Sequence, residues 1–132
     1  MVNRKNKLNN KKKERDGHVF DSVKELKRYG ELKLLEQAGE IHTLKMQVPF
    51  ELIPTQYEYY ERHSEKTGKR LKDGKRVVEH GIKYIADFVY MDKNNKIHVE
   101  DVKGFREGAT YNLFVLKRKL MLYIHGIRIE EI

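Results

Sequence analysis

Between residues 18 and 132 the apolar positions follow two rhythms, one with helical spacing and one of simple alternation, and the switches between them lay out the elements. Ser22 followed three residues later by Glu25 has the spacing of a capping box, in which a hydroxyl and a carboxylate satisfy the free amides at a helix start. Helix formers then run to Ala38 and Gly39 ends them, so a first helix is predicted over residues 22–38. Within it Glu25, Tyr29 and Leu32 fall at i, i+4 and i+7 and share a face that can turn toward a sheet. Ile41 to Ile53 alternates and is rich in β-formers, but Pro49 breaks it and Pro54 bounds it, which predicts one or two short strands with a bend. Tyr57-Glu58-Tyr59-Tyr60 leads into a charged stretch containing Gly68 and Gly74, predicted as a flexible loop over 62–76. Residues 76–91 and 96–103 predict two strands joined by Asp92-Lys93-Asn94-Asn95, the clearest hairpin in the chain. A loop over 104–108 follows. From Thr110, Leu113, Leu116, Leu120 and Ile124 mark an amphipathic second helix closed by Gly126, and Ile127-Arg128-Ile129 predicts a last short strand. The order α-β-β-β-α-β makes an α/β domain, a mixed central sheet flanked by two helices. A chain of 132 residues has room for one such core.

Composition changes this picture mainly through the position of charge. The formal net charge is +8, and residues 1–16 hold seven Lys/Arg against Glu14 and Asp16, while residues 62–76 hold seven more against Glu65 and Asp73. The rest of the chain is close to neutral. Residues 1–17 lack an apolar pattern and are predicted as a disordered basic arm. An arm and a loop of this kind suit a polyanion such as DNA, because each phosphate met by Lys or Arg releases condensed counterions; the plain alternative is a solubilising tail. Lys11, Lys12, Lys13, Lys69 and Arg70 are the candidate contacts. Lys117 and Lys119 on the second helix join them if that helix borders the cleft, and otherwise form its solvated face. The chain has no cysteine, which excludes disulfides, thiolate-bound zinc and a thiol nucleophile. No apolar run is long enough to cross a membrane, and a cytoplasmic setting is expected.

The candidate chemistry lies on the predicted hairpin, in Ile85-Ala86-Asp87-Phe88 and Glu100-Asp101-Val102-Lys103-Gly104. Side chains at i and i+2 of a strand share a face, so Asp101 and Lys103 project together and Glu100 points the other way, into a structural role. Val99, Val102, Phe88 and Val89 make these strands look buried, where a charge is costly unless paired or metal-bound. The register decides whether Asp87 joins them. A two-residue loop would pair Phe88 with Asp101 and turn Asp87 away. A three-residue loop ending on Asn95, a residue that tolerates the left-handed region, sets Asp87 opposite Asp101. With carboxylates to hold Mg²⁺ and an ammonium beside the phosphate, Asp87, Asp101 and Lys103 are a sufficient minimal set for phosphodiester hydrolysis.

Helix, strand, a hairpin bearing D…(D/E)-x-K, then helix and strand resembles the PD-(D/E)XK, or restriction-endonuclease-like, nuclease superfamily. The runs Phe20-Asp21-Ser22-x-x-Glu25, Lys83-Tyr84-Ile85-Ala86-Asp87-Phe88 and Val99-Glu100-Asp101-Val102-Lys103-Gly104 resemble, more narrowly, a family of small phage and prophage proteins of poorly defined function. The resemblance covers residues 18–132. It implies a restriction-endonuclease-like core, Mg²⁺ or Mn²⁺ dependence, Asp87 and Asp101 as metal ligands, Lys103 beside the attacking water and Glu25 as a further acidic ligand. The superfamily's proline before the first aspartate is Ala86 here. The expected activity is metal-dependent DNA cleavage in phage recombination, repair or processing, alongside phage replication or recombination proteins. Two alternatives stand beside it: a Holliday-junction resolvase, which would need a homodimer with two sites, and an inactive DNA-binding or assembly protein that keeps the fold. A bare D-x-K can also be a salt bridge on a sheet, and the capping box accounts for Glu25 without any catalysis. The six histidines show no ligand spacing, and strand packing is a sufficient use for Tyr57, Tyr59 and Tyr60.

Overall fold

A computed structural model describes residues 13–132. Ser22 caps the first helix, its hydroxyl accepting the Glu25 amide at 3.1 Å, and α1 runs Val23–Gln37 up to Gly39 at φ 76°. The second helix, α2, spans Ala109–His125 and ends on Gly126 at φ 66°, the left-handed stop that glycine adopts at low cost. Between and after the helices, β3 (Ile41–Ile53), β6 (Ile82–Asp92), β7 (Ile97–Asp101) and β8 (Glu130–Glu131) form one sheet in the order β3-β6-β7-β8. The first two pairings are antiparallel and the last is parallel, so the sheet is mixed and carries two helices, as the sequence predicts.

Five expectations need correction. The arm predicted to 17 ends earlier, because β1 (Lys13–Arg15) and β2 (His18–Phe20) pair as a tight hairpin turned through Asp16 and Gly17, both at positive φ. Lys13 therefore sits in a strand, while Lys11 and Lys12 lie outside the described residues. The predicted loop over 62–76 is largely a ladder: β4 (Gln56–His63) pairs with β5 (Arg70–Glu79) in a separate two-stranded ribbon. The strand predicted over 76–91 is two strands broken at His80 and Gly81. A Cβ on Gly81 would stand 2.6 Å from the Ile53 carbonyl oxygen, so the chain can bend there only because this residue is glycine. The closing strand is Glu130–Glu131 rather than 127–129, with Ile129 delivered to the core just before it. Pro49 does not interrupt β3, because β3 is the sheet's edge and an edge strand loses nothing by lacking an amide donor.

Two apolar clusters lie on opposite faces of the sheet. Under α2 sit Leu52, Tyr84, Ala86, Val89 and Val99 with Phe114 and Met121. Under α1 sit Phe88 and Tyr90 with Tyr29, Leu32 and Phe20. Residues of one parity should stay on one face of a strand, yet Tyr84 and Ala86 face α2 whereas Phe88 and Tyr90 face α1. The partner strand does the same, with Val48 and Phe50 toward α2 and Leu44 and Met46 toward α1. Both strands exchange faces at the opposed residues Gln47 and Asp87, and Gln47 is held at φ 51°, a left-handed conformation unfavourable for a residue with a Cβ.

Candidate active site

Three elements bring the predicted residues together. The β6–β7 loop is the three-residue Lys93-Asn94-Asn95: the Asp92 amide bonds the Lys96 carbonyl at 3.0 Å, and Asn95 adopts φ 60°. The resulting ladder pairs Phe88 with Glu100 and Val89 with Val99, so its next rung would set Asp87 against Asp101. At that rung the strands part. The Val102 amide, instead of meeting a backbone carbonyl of β6, donates to Asp87 Oδ2 at 2.7 Å, and Gln47 Nε2 donates to Asp87 Oδ1 at 3.3 Å. Past the parting, β7 is tied to the C-terminus: the Lys103 amide bonds the Ile132 carbonyl, and the Ile132 amide bonds that of Asp101.

Asp101 is nearly enclosed. Its Oδ2 accepts the Tyr84 hydroxyl at 2.7 Å and its Oδ1 meets Lys103 Nζ at 2.7 Å. The same ammonium lies 3.4 Å from the centre of the Phe114 ring, so α2 fixes the lysine from its other side by a cation–π contact. Glu25 approaches from the first turn of α1. Burial, then the Asp87 and Asp21 carboxylates, push its carboxyl up to about 7, with Asp101 adding to the effect. Burial likewise pushes Asp87 up to about 6, against the pull of the Val102 amide and with a further push from Asp101. Burial and Asp101 hold the Tyr84 hydroxyl well above its ordinary range, so it remains a donor. Glu25, Asp87, Asp101 and Lys103 thus form one electrostatic group. A cleft of about 570 Å³ opens onto it, lined by Asp21, Lys24, Glu25, Lys103, Phe105 and Tyr111 among others.

The donor set suits a hard divalent cation in two respects. Its atoms are oxygens, and its three carboxyl groups outnumber the Lys103 ammonium, so that repulsion between them adds to burial, the main cause, in raising the Glu25 and Asp87 pKa values. In the present side-chain arrangement no three acidic or histidine groups among the described residues converge at ligating distance, and Lys103 fills one side of Asp101. Both oxygens of Asp87 are engaged by the Val102 amide and Gln47, and both of Asp101 by Tyr84 and Lys103, so an ion would have to displace one of these partners.

The remaining candidates fall elsewhere. Glu100 projects to the opposite face, where Arg28 Nε and Nη2 grip it at 2.7 and 2.6 Å and the Tyr90 hydroxyl donates to it, the structural role expected. Lys69 ends the ribbon turn, and Arg70 begins β5 in an ion pair with Asp73 at 3.1 Å. Lys119 is exposed on α2 and Lys117 is partly covered. Sequence reasoning missed Tyr84 and Gln47 as partners of the two aspartates. Tyr84 lay within a motif already singled out, whereas nothing in the sequence marks the turn of backbone that delivers Gln47. No helix among the described residues is long and apolar enough to cross a membrane. No curated protein and no solved structure matches the chain. A family model described as "Protein of unknown function (DUF1064)" matches residues 5–127, and the chain belongs to that family.

Proposed function

We propose that the chain is a Mg²⁺- or Mn²⁺-dependent DNA endonuclease with a restriction-endonuclease-like core. The observation that carries this reading is the gathering of Asp87, Asp101, Lys103 and Glu25 where β6 and β7 part, with Glu25 and Lys103 on the wall of an open cleft. Surplus buried charge is destabilising and is retained where it serves chemistry. Asp87 and Asp101 would hold the ion, which when bound neutralises phosphate charge and lowers the pKa of its water. The chain's own groups supply the rest. Tyr84 and the Val102 amide fix the two aspartates, so they need no reorganisation when substrate arrives. Lys103, pinned over Phe114, presents a positive charge where the phosphate oxygens gain negative charge. With a pKa of about 7, Glu25 can accept a proton from the attacking water or return one to the leaving oxygen near neutral pH.

A second reading, an idle DNA-binding protein, draws on the closed Lys103–Asp101 ion pair and the absence of a three-ligand group among the described residues. Incubation with supercoiled plasmid, nicked duplex and four-way junction separates the two. Cleavage should require Mg²⁺ or Mn²⁺, stop with EDTA, and vanish in Asp87→Ala and Lys103→Ala while DNA binding survives. Binding without metal-dependent cleavage of any of the three by the unaltered protein would leave the idle reading. A marked preference for the junction, with a dimer in solution, would identify a resolvase.

A further inference from the structure

Beyond the sheet, β3 continues into β4 through Pro54-Thr55, and β5 returns into β6 through His80-Gly81, so the β4–β5 ribbon is a stalk set on the catalytic sheet. Its base is tied down. The Gly81 amide bonds Thr55 Oγ1 at 3.0 Å, and the His125 ring nitrogen meets the Glu51 carbonyl at 2.6 Å. Above that base, every residue of the two strands except Gly74 is exposed, and among the described residues no other element packs closely against them. An isolated two-stranded ribbon is marginal in water and adds little to a core it does not touch, yet this one is built with care. Tyr60 lies across Gly74 with the Arg76 guanidinium 4.3 Å above its ring, and Lys75 sits 3.7 Å from the centre of Tyr57. Its tip is ordered by Ser64, whose amide bonds the Lys69 carbonyl and whose carbonyl accepts the Gly68 amide, each at 2.8 Å.

Near the base Lys75 and Arg76 stand against Glu58 and Glu79, and Arg76 pairs with Glu58 at 2.9 Å, whereas the outer ribbon carries Arg62, Lys66, Lys69, Arg70 and Lys72 against Glu61, Glu65 and Asp73, with Arg70 paired to Asp73 at 3.1 Å and to Glu61 at 3.7 Å. Toward the tip, Arg62, Lys66, Lys69 and Lys72 have no acidic partner within 4.0 Å among the described residues. Eight strand residues extend roughly 25 Å, the length of roughly seven base pairs, and the B-DNA major groove admits a two-stranded ribbon.

We infer that the β4–β5 ribbon grips a DNA duplex, lying along its groove with the tip lysines on the phosphates, so that the substrate is double-stranded on the ribbon side of the cut. The inference rests on the proposed nuclease reading in taking DNA as the polyanion, and its test does not depend on cleavage. Binding of the full chain to a labelled duplex of roughly 30 bp is measured in EDTA across a salt series, for the unaltered protein and for Lys66→Ala/Lys69→Ala/Lys72→Ala. The triple variant should bind at least about tenfold more weakly at about 0.1 M salt, and the slope of log affinity against log salt should shrink by about 2–3, one for each phosphate no longer neutralised. The unaltered protein should prefer the duplex to its single strand. Unchanged affinity and slope in the variant would overturn the inference, as would equal binding of single strand. Equally tight, lysine-dependent binding of polyglutamate would assign the surface to an acidic protein instead. Ribbon-dependent duplex binding without metal-dependent cleavage would sink the nuclease reading and leave the grip standing; cleavage with a silent triple variant would do the reverse.

Discussion

Glu100 and Asp101 are adjacent on β7, are 0% and 7% exposed, and meet opposite fates. On the α1 face Glu100 takes two hydrogen bonds from the Arg28 guanidinium, with the Tyr90 hydroxyl filling in, and Glu31, the other acid on that guanidinium, is exposed to solvent. The hydrogen bonds that Arg28 donates to Glu100 hold the guanidinium well above its already high ordinary pKa, so that charge is permanent. On the α2 face Asp101 has Tyr84 and Lys103, but the Asp87 and Glu25 carboxyls lie close enough to repel it and one another. The first face is electrically closed and the second is open. A closed buried pair contributes by being complete, whereas an open cluster is a standing cost relieved only by protons or a cation.

The largest expected effect is on the open side. Asp101→Asn, Asp87→Asn or Lys103→Ala should each lower metal-dependent cleavage at least about 10³-fold, roughly 4 kcal/mol in the barrier. Asp87→Asn should leave the urea midpoint unchanged or slightly raised, because it removes one of several like charges, whereas Asp101→Asn leaves Lys103 without its partner and should lower it. Next comes the closed side. Arg28→Met strands a buried carboxylate and should cost about 3 kcal/mol of unfolding free energy, and adding Glu100→Leu should restore most of it, since a whole ion pair can be replaced where half of one cannot. If Asp87→Asn unfolds as readily as Arg28→Met, the contrast between the two faces is wrong.

Much of this contrast was legible in the sequence. The i, i+2 rule places Asp101 with Lys103 and Glu100 on the other face, and Asn95 beside Asn94 points to an odd loop that the structure contains. Capping chemistry located the first helix within a residue at each end, and apolar spacing with Gly126 did the same for the second. The ribbon was not legible, because a charged, glycine-bearing stretch reads as loop when no buried face imposes alternation. Its order comes instead from cross-strand contacts such as Tyr60 on Gly74 and Lys75 on Tyr57, which single-residue preferences do not carry. The face exchange at Gln47 and Asp87 was equally hidden. It needs both strands to depart from regular pleating at the same rung, a tertiary agreement with no local signature.

The smallest effect concerns protons and separates the two faces without any assay of cleavage. Glu25 ionises near pH 4.5 in an open chain and at about 7 in the folded one, and Asp87 moves from 3.8 to about 6. Between these limits the folded state binds more protons than the unfolded state, so stability falls as pH rises from about 4 to 7 and stays at its lower value above that. Because both groups are partly open to solvent, screening reduces the effect, and about 1–2 kcal/mol is expected for Glu25. Glu25→Gln removes the penalty while keeping the shape, and Ser22 still caps the helix through the residue-25 amide. The variant should therefore match the unaltered protein at pH 4.5 and exceed it in thermal midpoint at pH 8, with a flatter profile between. Arg28 keeps its charge across this range, so Arg28→Met should lower the midpoint at both pH values. A Glu25→Gln profile parallel to the unaltered one would mean that Glu25 feels neither Asp87 nor its own burial, and the α2 face would then be as closed as the other.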